Sequence, residues 1–379
     1  MSRTISCRKR TVIKLFVFAI VIIMTGLYVF NLGYHGLATN THQAPEHGLT
    51  TEPQFKYFYG PSRVPMTLEK DFPQPKYDKK YFIYDCSQQL CGGLGDRQEG
   101  ILAAYLISQL MGRRFGVIMT IPCDIANFLD ENEAKWIIPP GSLSGLTVTP
   151  YTLLDSSAWT LRENIHTIEL EQRFTQDVIL FKVNQEFVQY IMKLPRFQDL
   201  KWAQNRTAVD IYNIVLRRLF KLKPKYQEQI DKFQTSVRAN GRKLVCAHIR
   251  LHRSFAAHKK DYIDMMWAFL KQYNNSATYR VFVSTNSEQV RQESRRMFPE
   301  VFADVDGPLV HVDQDTGAQA CDGFGKVLID QQILSTCDVY LMTDSGFGRV
   351  AAMLRGTDNN LYTLDGKVAF NNSFFPPYW

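Results

Sequence analysis

The chain has 379 residues, of which 45% are hydrophobic and 13% aromatic, enough apolar material for one or two packed domains. Its formal net charge is +7, but five of the positive charges precede residue 15, so the rest of the chain carries only +2. A balance this close to neutral argues against nucleic acid as the main partner.

The first predicted element is a membrane span at residues 15–33. This segment has no charged side chain, and as a helix it would measure roughly 28 Å, close to the ~30 Å hydrocarbon core of a bilayer. Basic residues flank its N-terminal side and the first acidic residue is Glu46, which predicts a cytoplasmic tail at 1–14 and a luminal remainder. A cleaved signal peptide is the alternative, although its apolar core would be only ~7–15 residues long. The basic residues are Arg3, Arg8, Lys9, Arg10 and Lys14.

Residues 34–78 combine six prolines with polar side chains and lack clear periodicity, which is typical of an extended stem. Together with the span, this predicts a single-pass type II protein anchored in the bilayer of the Golgi or endoplasmic reticulum. In such a lumen the N-x-[ST] sequons at Asn205, Asn274 and Asn371 are usable glycan acceptors.

Six of the seven cysteines fall in the predicted luminal part, where up to three disulfides can form. Cys86 and Cys91 have four residues between them and flank the end of a predicted strand, so we expect a local disulfide there. The spacing leaves the pairing of the others open: Cys123, Cys246, Cys321 and Cys337.

Strand and helix patterns begin near residue 79. A strand at 81–84, a nearly all-apolar helix at 98–111 and a strand at 115–119 predict a βαβ unit with parallel strands. The middle of the chain is less regular, with a predicted strand at 177–183 and amphipathic helices at 210–221 and 225–238.

After residue 241 strands alternate with helices, which is typical of a doubly wound α/β half. The sequence therefore predicts two Rossmann-like domains, 79–240 and 241–379, that face each other across a cleft. The predicted strands are 243–249, 279–284, 309–312 and 338–343, and the predicted helices are 261–273, 287–297, 324–336 and 347–355.

Three loops at predicted strand ends carry polar or glycine-rich sequence, and ligands of open parallel sheets bind at such ends. Residues 92–97 (Gly-Gly-Leu-Gly-Asp-Arg) precede a helix, as in phosphate sites, but lack the full G-x-G-x-x-G fingerprint. Residues 246–253 place His248, Arg250, His252 and Arg253 at one strand end, which suits an anion. Residues 341–349 bring hydroxyls and a helix start, which suits either a phosphate or an N-cap.

Signals for a metal are weak. The D-x-D pairs Asp304/Asp306 and Asp313/Asp315 could hold a divalent ion, but such triplets arise by chance in a chain of this length. A Walker A motif, G-x-S-x-G and H-E-x-x-H are absent from the sequence.

The three loops, in this order, resemble segments of the GDP-fucose-dependent fucosyltransferases, the superfamily of α1,2-, α1,6- and protein O-fucosyltransferases. Residues 93–97 resemble the first sugar-nucleotide segment, 248–250 (His-Ile-Arg) resemble the H-x-R motif, and 282–286 and 330–345 resemble the following strand and the final nucleotide motif. The chain departs from the family at Leu251, where a second arginine is usual, and at Asp96, where asparagine is common.

The resemblance implies a GT-B fold whose C-terminal half binds the donor, inverting chemistry, and no metal or other cofactor. It implies that Arg250 contacts the diphosphate and acts as a catalytic residue, with Asp96 or Glu99 as candidate bases by position. The residues that it implies for donor binding are Gly93, Gly95, Arg97, His248, Arg250, Thr343, Ser345 and Gly346.

The leading hypothesis is therefore a luminal fucosyltransferase that moves fucose from GDP-fucose to a hydroxyl of a glycan or glycoprotein. A metal-dependent glycosyltransferase that uses a D-x-D pair is one alternative, and a non-enzymatic membrane glycoprotein with a decayed α/β domain is another. The incomplete glycine fingerprint disfavours a dinucleotide-dependent oxidoreductase.

Overall fold

The fold is defined by a computed structural model that describes residues 72–88, 91–251, 259–315, 317–371 and 374–375, all of them within one compact unit. The predicted tail at 1–14, the predicted span at 15–33, the predicted stem up to residue 71, and His252 and Arg253 lie outside the described residues. In the part of the chain that is described, no helix is both long and apolar enough to cross a membrane.

The N-terminal half is built on a four-stranded sheet with strand order β2-β1-β5-β4, in which all pairs are parallel. A two-stranded antiparallel ribbon, β3-β6, lies apart from it. The elements are β1 (Tyr81–Cys86), α1 (Leu94–Met111), β2 (Arg114–Met119), β3 (Leu129–Glu131), β4 (Val148–Leu153), α2 (Ser156–Asn164), α3 (Leu170–Arg173), β5 (Val178–Val183), α4 (Val188–Ile191), α5 (Ala208–Leu219), β6 (Phe220–Leu222) and α6 (Pro224–Arg238).

The C-terminal half is built on a five-stranded sheet with strand order β11-β10-β9-β7-β8, which is parallel except for the β10–β11 pair. The elements are β7 (Lys243–Ile249), α7 (Lys259–Lys271), β8 (Tyr279–Thr285), α8 (Glu288–Met297), α9 (Gly317–Leu334), β9 (Val339–Met342), α10 (Gly346–Arg355), β10 (Leu361–Thr363) and β11 (Gly366–Lys367).

The predicted α/β class with parallel sheets is confirmed, and the βαβ unit at the start of the domain is present as β1-α1-β2. The predicted strand at 309–312 is wrong, because that apolar stretch is irregular and lines a cavity. The edge strand β4 was missed, since its half-exposed residues include a proline and give little periodic signal. The boundary between the two halves at 240/241 stays a prediction.

Helices of the two halves pack against each other, and their buried side chains form one core. Helix α10 of the C-terminal half packs on α1 and α5 of the N-terminal half, and one cluster of buried apolar side chains runs through both. Gln98 on α1 and Gln331 on α9 exchange two side-chain hydrogen bonds of 2.7 and 2.8 Å across this boundary. These bonds tie α1 of the N-terminal half to the C-terminal end of α9.

The six cysteines of the described region form three disulfides, Cys86–Cys91, Cys123–Cys321 and Cys246–Cys337. The first is the local bridge that the spacing suggested, and it lies at the carboxyl end of β1. The second joins the loop after β2 to α9 and so links the two halves. The third bonds Cys246 on β7 to Cys337, which lies in the turn between α9 and β9, a pairing that the spacing had left open.

Candidate active site

The site lies where the carboxyl ends of β1, β7 and β9 meet the first turns of α1 and α10. Helix α1 begins at Leu94, earlier than predicted, so Gly95, Asp96 and Arg97 are helical and Gly93 is the N-cap. The Asp96 carboxylate accepts a hydrogen bond of 2.7 Å from the Gly93 backbone N–H, which satisfies one of the free donors at the helix start.

Gly95 and Gly346 bring the starts of α1 and α10 into direct backbone contact. A Cβ built on Gly95 would lie 2.3 Å from the Gly346 carbonyl carbon and 2.5 Å from the Phe347 nitrogen, so a larger residue would force the helices apart. Both glycines also line a cavity at this junction. The presence of glycine at position 95 is therefore explained first by the close packing of the two halves.

Arg97, predicted from the resemblance to bind the donor, lines neither large cavity of the site. Its side chain is fully buried and donates to the backbone carbonyls of Gly92 (2.9 Å), Val312 (3.2 Å) and Ile121. The donor-binding assignment of Arg97 is thus corrected to a structural one, since its guanidinium braces three loops and does not face a ligand space.

Arg250 follows the last residue of β7 and lines both large cavities. Its backbone N–H donates to the Thr343 hydroxyl at 3.0 Å, which fixes the strand end. Burial lowers the pKa of its guanidinium, while the carboxylates of Asp96 and Asp313 raise it. The Nε atom is buried and has no hydrogen-bond partner in the described structure, so a donor remains for a ligand.

His248 lies two residues earlier on β7 and lines the same cavity as a buried, neutral ring. Burial and, second, the charge of Arg250 lower the pKa of His248 to about 3, so it carries no charge at neutral pH. A Cβ on Gly348 would lie 2.8 Å from the imidazole Nδ1, so this glycine makes room for the ring. His248 can contact a ligand only as a neutral group.

Thr343 and Ser345 lie between β9 and α10. The Thr343 hydroxyl is engaged within the protein, because it accepts from the Arg250 backbone and lies 3.3 Å from the His248 carbonyl oxygen. Ser345 is the N-cap of α10 and is 1% exposed, yet among the described residues its Oγ has no hydrogen-bond partner. A buried unpaired hydroxyl beside the free N–H groups of a helix start is suited to an anionic oxygen.

Two cavities meet at this junction. The first, which we call the deep cavity, extends between the glycine loop and residues 284–286 and 308–312. The second, the open cleft, is larger and extends toward β10, β11 and the loop after β5. The two cavities share Gly346, Ser345, Arg250 and Asp96, so these residues form the wall between them. Two molecules, one bound in each cavity, would approach each other at these four residues.

The far end of the deep cavity contains a buried ion pair that the sequence analysis did not single out. Lys326 Nζ donates to Asp330 at 2.7 Å, one turn along α9, and the Ser284 hydroxyl lies 3.3 Å from the same carboxylate. The available signal was a lysine and an aspartate four residues apart within an apolar part of the helix, because such residues are rarely buried without a partner or a ligand.

Asp96 is the candidate base that this geometry favours. Burial raises the pKa of Asp96 to about 6, although the hydrogen bond from Gly93 and the charge of Arg250 lower it, so the carboxyl is mostly ionised at neutral pH. Glu99, the other sequence candidate, lines neither the deep cavity nor the open cleft. It lies one turn deeper on α1.

The D-x-D residues are engaged in other contacts. Asp304 is bound by Arg291 at 2.5 Å and by Lys326 at 3.4 Å, and Asp313 accepts from the Gly92 backbone N–H at 3.1 Å. In the part of the chain that the structure describes, no group of three or more potential metal ligands is present. The absence of a metal requirement stays a prediction.

The three sequons lie on the surface. Asn205, Asn274 and Asn371 are exposed, and Asn371 also borders the open cleft. This exposure is compatible with glycosylation but does not test it.

These observations define an α/β protein with two mainly parallel sheets and a cavity on either side of a helix start that is suited to an anion. No protein-family model matches the sequence, and no curated protein matches it. Its fold is similar to that of a mutant of FUT1 from Arabidopsis thaliana in complex with GDP, with a TM-score of 0.55 and 15% identity over 77% of this chain and 72% of that one. At this identity the likeness shows that the two proteins share a fold.

Two further solved structures are similar over a comparable length. NodZ α-1,6-fucosyltransferase soaked with GDP-fucose has a TM-score of 0.49 and 17% identity, over 73% of this chain and 92% of that one. NodZ from Bradyrhizobium has a TM-score of 0.43 and 16% identity, over 73% of this chain and 94% of that one.

Proposed function

We propose that this chain is an inverting GT-B fucosyltransferase that transfers fucose from GDP-fucose to a hydroxyl of a glycan or glycoprotein. The observation that carries the proposal is the shared wall of the two cavities, where Arg250, Asp96 and the start of α10 converge. The fold shared with FUT1, whose structure contains GDP, supports a guanine nucleotide as the donor carrier.

The donor diphosphate is assigned to the wall side of the deep cavity. Arg250 offers a buried guanidinium donor there, and Ser345 and Gly346 offer a hydroxyl and the first backbone N–H groups of α10. Together they supply positive charge and hydrogen-bond donors where negative charge grows as the sugar leaves. The protein's own groups can therefore stabilise the leaving diphosphate.

The acceptor is assigned to the open cleft, on the other side of the same wall. Its hydroxyl attacks the anomeric carbon as the bond from that carbon to the β-phosphate oxygen breaks, and the hydroxyl proton passes to Asp96. The new glycosidic bond forms on the face opposite the departing GDP, so the configuration inverts. Donor and acceptor in separate cavities with a common wall provide that geometry.

Transfer from GDP-fucose in excess chelator is the expected result when the purified domain is assayed with a panel of nucleotide sugars. GDP and GDP-fucose should also protect the domain against thermal unfolding, because a ligand that binds only the folded state stabilises it. UDP-sugars and NAD serve as controls. Absence of any guanine-nucleotide effect would refute the proposal. Activity that required manganese would instead favour the alternative based on Asp304 and Asp306.

We propose further that the catalytic domain is luminal and held at the Golgi or endoplasmic reticulum membrane by residues 15–33. Expressed in a secretory cell, the protein should lose mass on treatment with a glycosidase specific for N-glycans. Replacement of Asn205, Asn274 and Asn371 with glutamine should abolish that shift. A full-length protein without glycans, whose C-terminus is open to protease in intact microsomes, would reverse the proposed orientation.

A further inference from the structure

A small cavity that is lined by two glutamates and two arginines lies directly behind the open cleft. It shares Gln185 and Arg349 with the cleft, so the two spaces are neighbours. The complete lining is Glu99, Arg162, Gln185, Glu186, Arg349, Met353 and Phe375. Charged groups are rarely buried unless paired or functional, and this set lies next to the proposed reaction point.

The junction of the two halves places Glu99 beside Arg349. Glu99 comes three residues after Asp96 on α1, and Arg349 four residues after Ser345 on α10, so each lies about one turn inside its helix. The backbone contact between the two helix starts brings these inner turns together. Glu99 is 4% exposed and Arg349 is 6% exposed.

Arg349 connects the small cavity to the cleft. Its Nη1 atom lies 3.8 Å from the carboxylate of Asp344, which is exposed in the cleft. Its charge also acts on Glu99 and Glu186, which lie on the cavity side. The guanidinium therefore lies between carboxyl groups of the cleft and carboxyl groups of the cavity.

Two arginines balance the two glutamates of the cavity, but burial still makes ionisation of these carboxyl groups costly. Burial raises the pKa of Glu99 to about 8 and that of Glu186 to about 7, although Arg349 and Arg162 lower both. Protonation is therefore favoured in this cavity at neutral pH. The titratable groups that face Glu99 are Asp96 on α1, Arg162 on α2, Glu186 after β5, Tyr212 on α5 and Arg349 on α10.

Building on the proposed fucosyl transfer, we propose that Glu99 is a positioning residue that works in its protonated form. While Glu99 is neutral, the guanidinium of Arg349 stays on the cleft side beside Asp344, where it contacts the acceptor. When Glu99 ionises at higher pH, the carboxylate attracts Arg349 into the small cavity, and the cleft loses its cation.

The kinetic test compares the wild type with Glu99→Gln, which imitates the neutral carboxyl. The wild-type KM for the acceptor should rise about tenfold between pH 7 and pH 9, as expected for loss of a hydrogen bond to a charged group, while the donor KM stays constant. Glu99→Gln should show a weaker alkaline rise of the acceptor KM than the wild type, and Glu99→Gln/Glu186→Gln should show none, because Glu186 titrates near pH 7 in the same cavity. A Glu99→Gln variant that keeps the full alkaline rise would overturn the proposal.

A stability measurement tests the protonated Glu99 even if no transferase activity is found. A carboxyl whose pKa is raised by folding destabilises the protein increasingly as the pH rises from its unfolded pKa to its folded pKa. The Tm of Glu99→Gln relative to the wild type should therefore increase between pH 5 and pH 8. Glu163→Gln is the matched control, since Glu163 is an exposed carboxylate on the same Arg162 and should leave this pH dependence unchanged. A Tm difference that is flat with pH would contradict the inference.

Discussion

Replacement of Arg250 with alanine is expected to reduce the turnover of fucosyl transfer by about a hundredfold to a thousandfold, the usual loss when a preorganised charged donor is removed. Arg250 lies on the wall between the two cavities, and its buried Nε is available to a ligand. Because the diphosphate gains negative charge as the sugar leaves, the contact strengthens in the transition state. The loss should therefore appear in kcat as well as in the donor KM.

The lysine variant separates charge from geometry at the same position. A guanidinium can hold two phosphate oxygens with parallel hydrogen bonds, whereas an ammonium acts as a point charge. Arg250→Lys should therefore be nearly as inactive as Arg250→Ala.

Both variants should fold, because the hydrogen bond from Arg250 to Thr343 uses the backbone N–H and survives the change. Arg280→Ala is a suitable control, since Arg280 lies at the opposite end of the neighbouring strand β8 and bonds only backbone carbonyls in the described structure. It should keep full activity. Wild-type kcat and donor affinity in Arg250→Ala would refute the assignment of the diphosphate site.

Replacement of Asp96 with asparagine is expected to lower kcat by about a hundredfold to ten-thousandfold, the range typical of general acid–base groups. Asparagine keeps an oxygen that can accept the hydrogen bond from the Gly93 backbone N–H, so the start of α1 should be preserved. It cannot take the proton of the acceptor hydroxyl. The variant should therefore bind GDP normally and fail in the chemical step.

The pH profile provides a second test of Asp96. Its pKa is raised to about 6, chiefly by burial, and only the ionised carboxylate can accept a proton. The wild-type kcat should therefore fall as the pH drops below about 6, and this acid limb should be absent from the residual activity of Asp96→Asn.

Asp313→Asn is the matched control for Asp96→Asn. Asp313 also accepts a hydrogen bond from a backbone N–H of the glycine loop, that of Gly92, and also lies near Arg250, but it lies outside the wall shared by the two cavities. Its replacement should leave the acid limb in place. An equal loss of kcat in both variants would show that loop geometry, and not a base, explains the effect of Asp96.

The sequence pattern was sufficient to predict the strands and helices that are buried on both faces. The strands near residues 81 and 243 and the apolar helix that ends at Met111 were found because long apolar runs have few alternatives to a parallel α/β core. The local disulfide Cys86–Cys91 follows a similar logic, since two cysteines so close on either side of a turn are within reach of each other.

The sequence pattern was insufficient to predict the structure of an apolar segment that is not part of a sheet or helix. Residues 309–312 (Leu-Val-His-Val) are mostly apolar, as a buried strand is, but they form an irregular segment that lines the deep cavity. Arg97 illustrates the converse error, since its place in a glycine-rich motif suggested a ligand contact and its burial shows a structural brace.

The residue pattern alone predicts the α/β class, the order of the strands that end in polar loops, and Arg250 and Asp96 as the residues to examine. Which of those loops meet depends on the three-dimensional fold, because contacts between residues some 200 to 250 positions apart, such as Cys123 with Cys321 and Gly95 with Gly346, leave no local pattern. The same holds for the cavity of Glu99 and Arg349. A buried charge becomes recognisable only when its partner from the other half of the chain is beside it, since burial and electrostatic coupling depend on distance in space and not along the sequence.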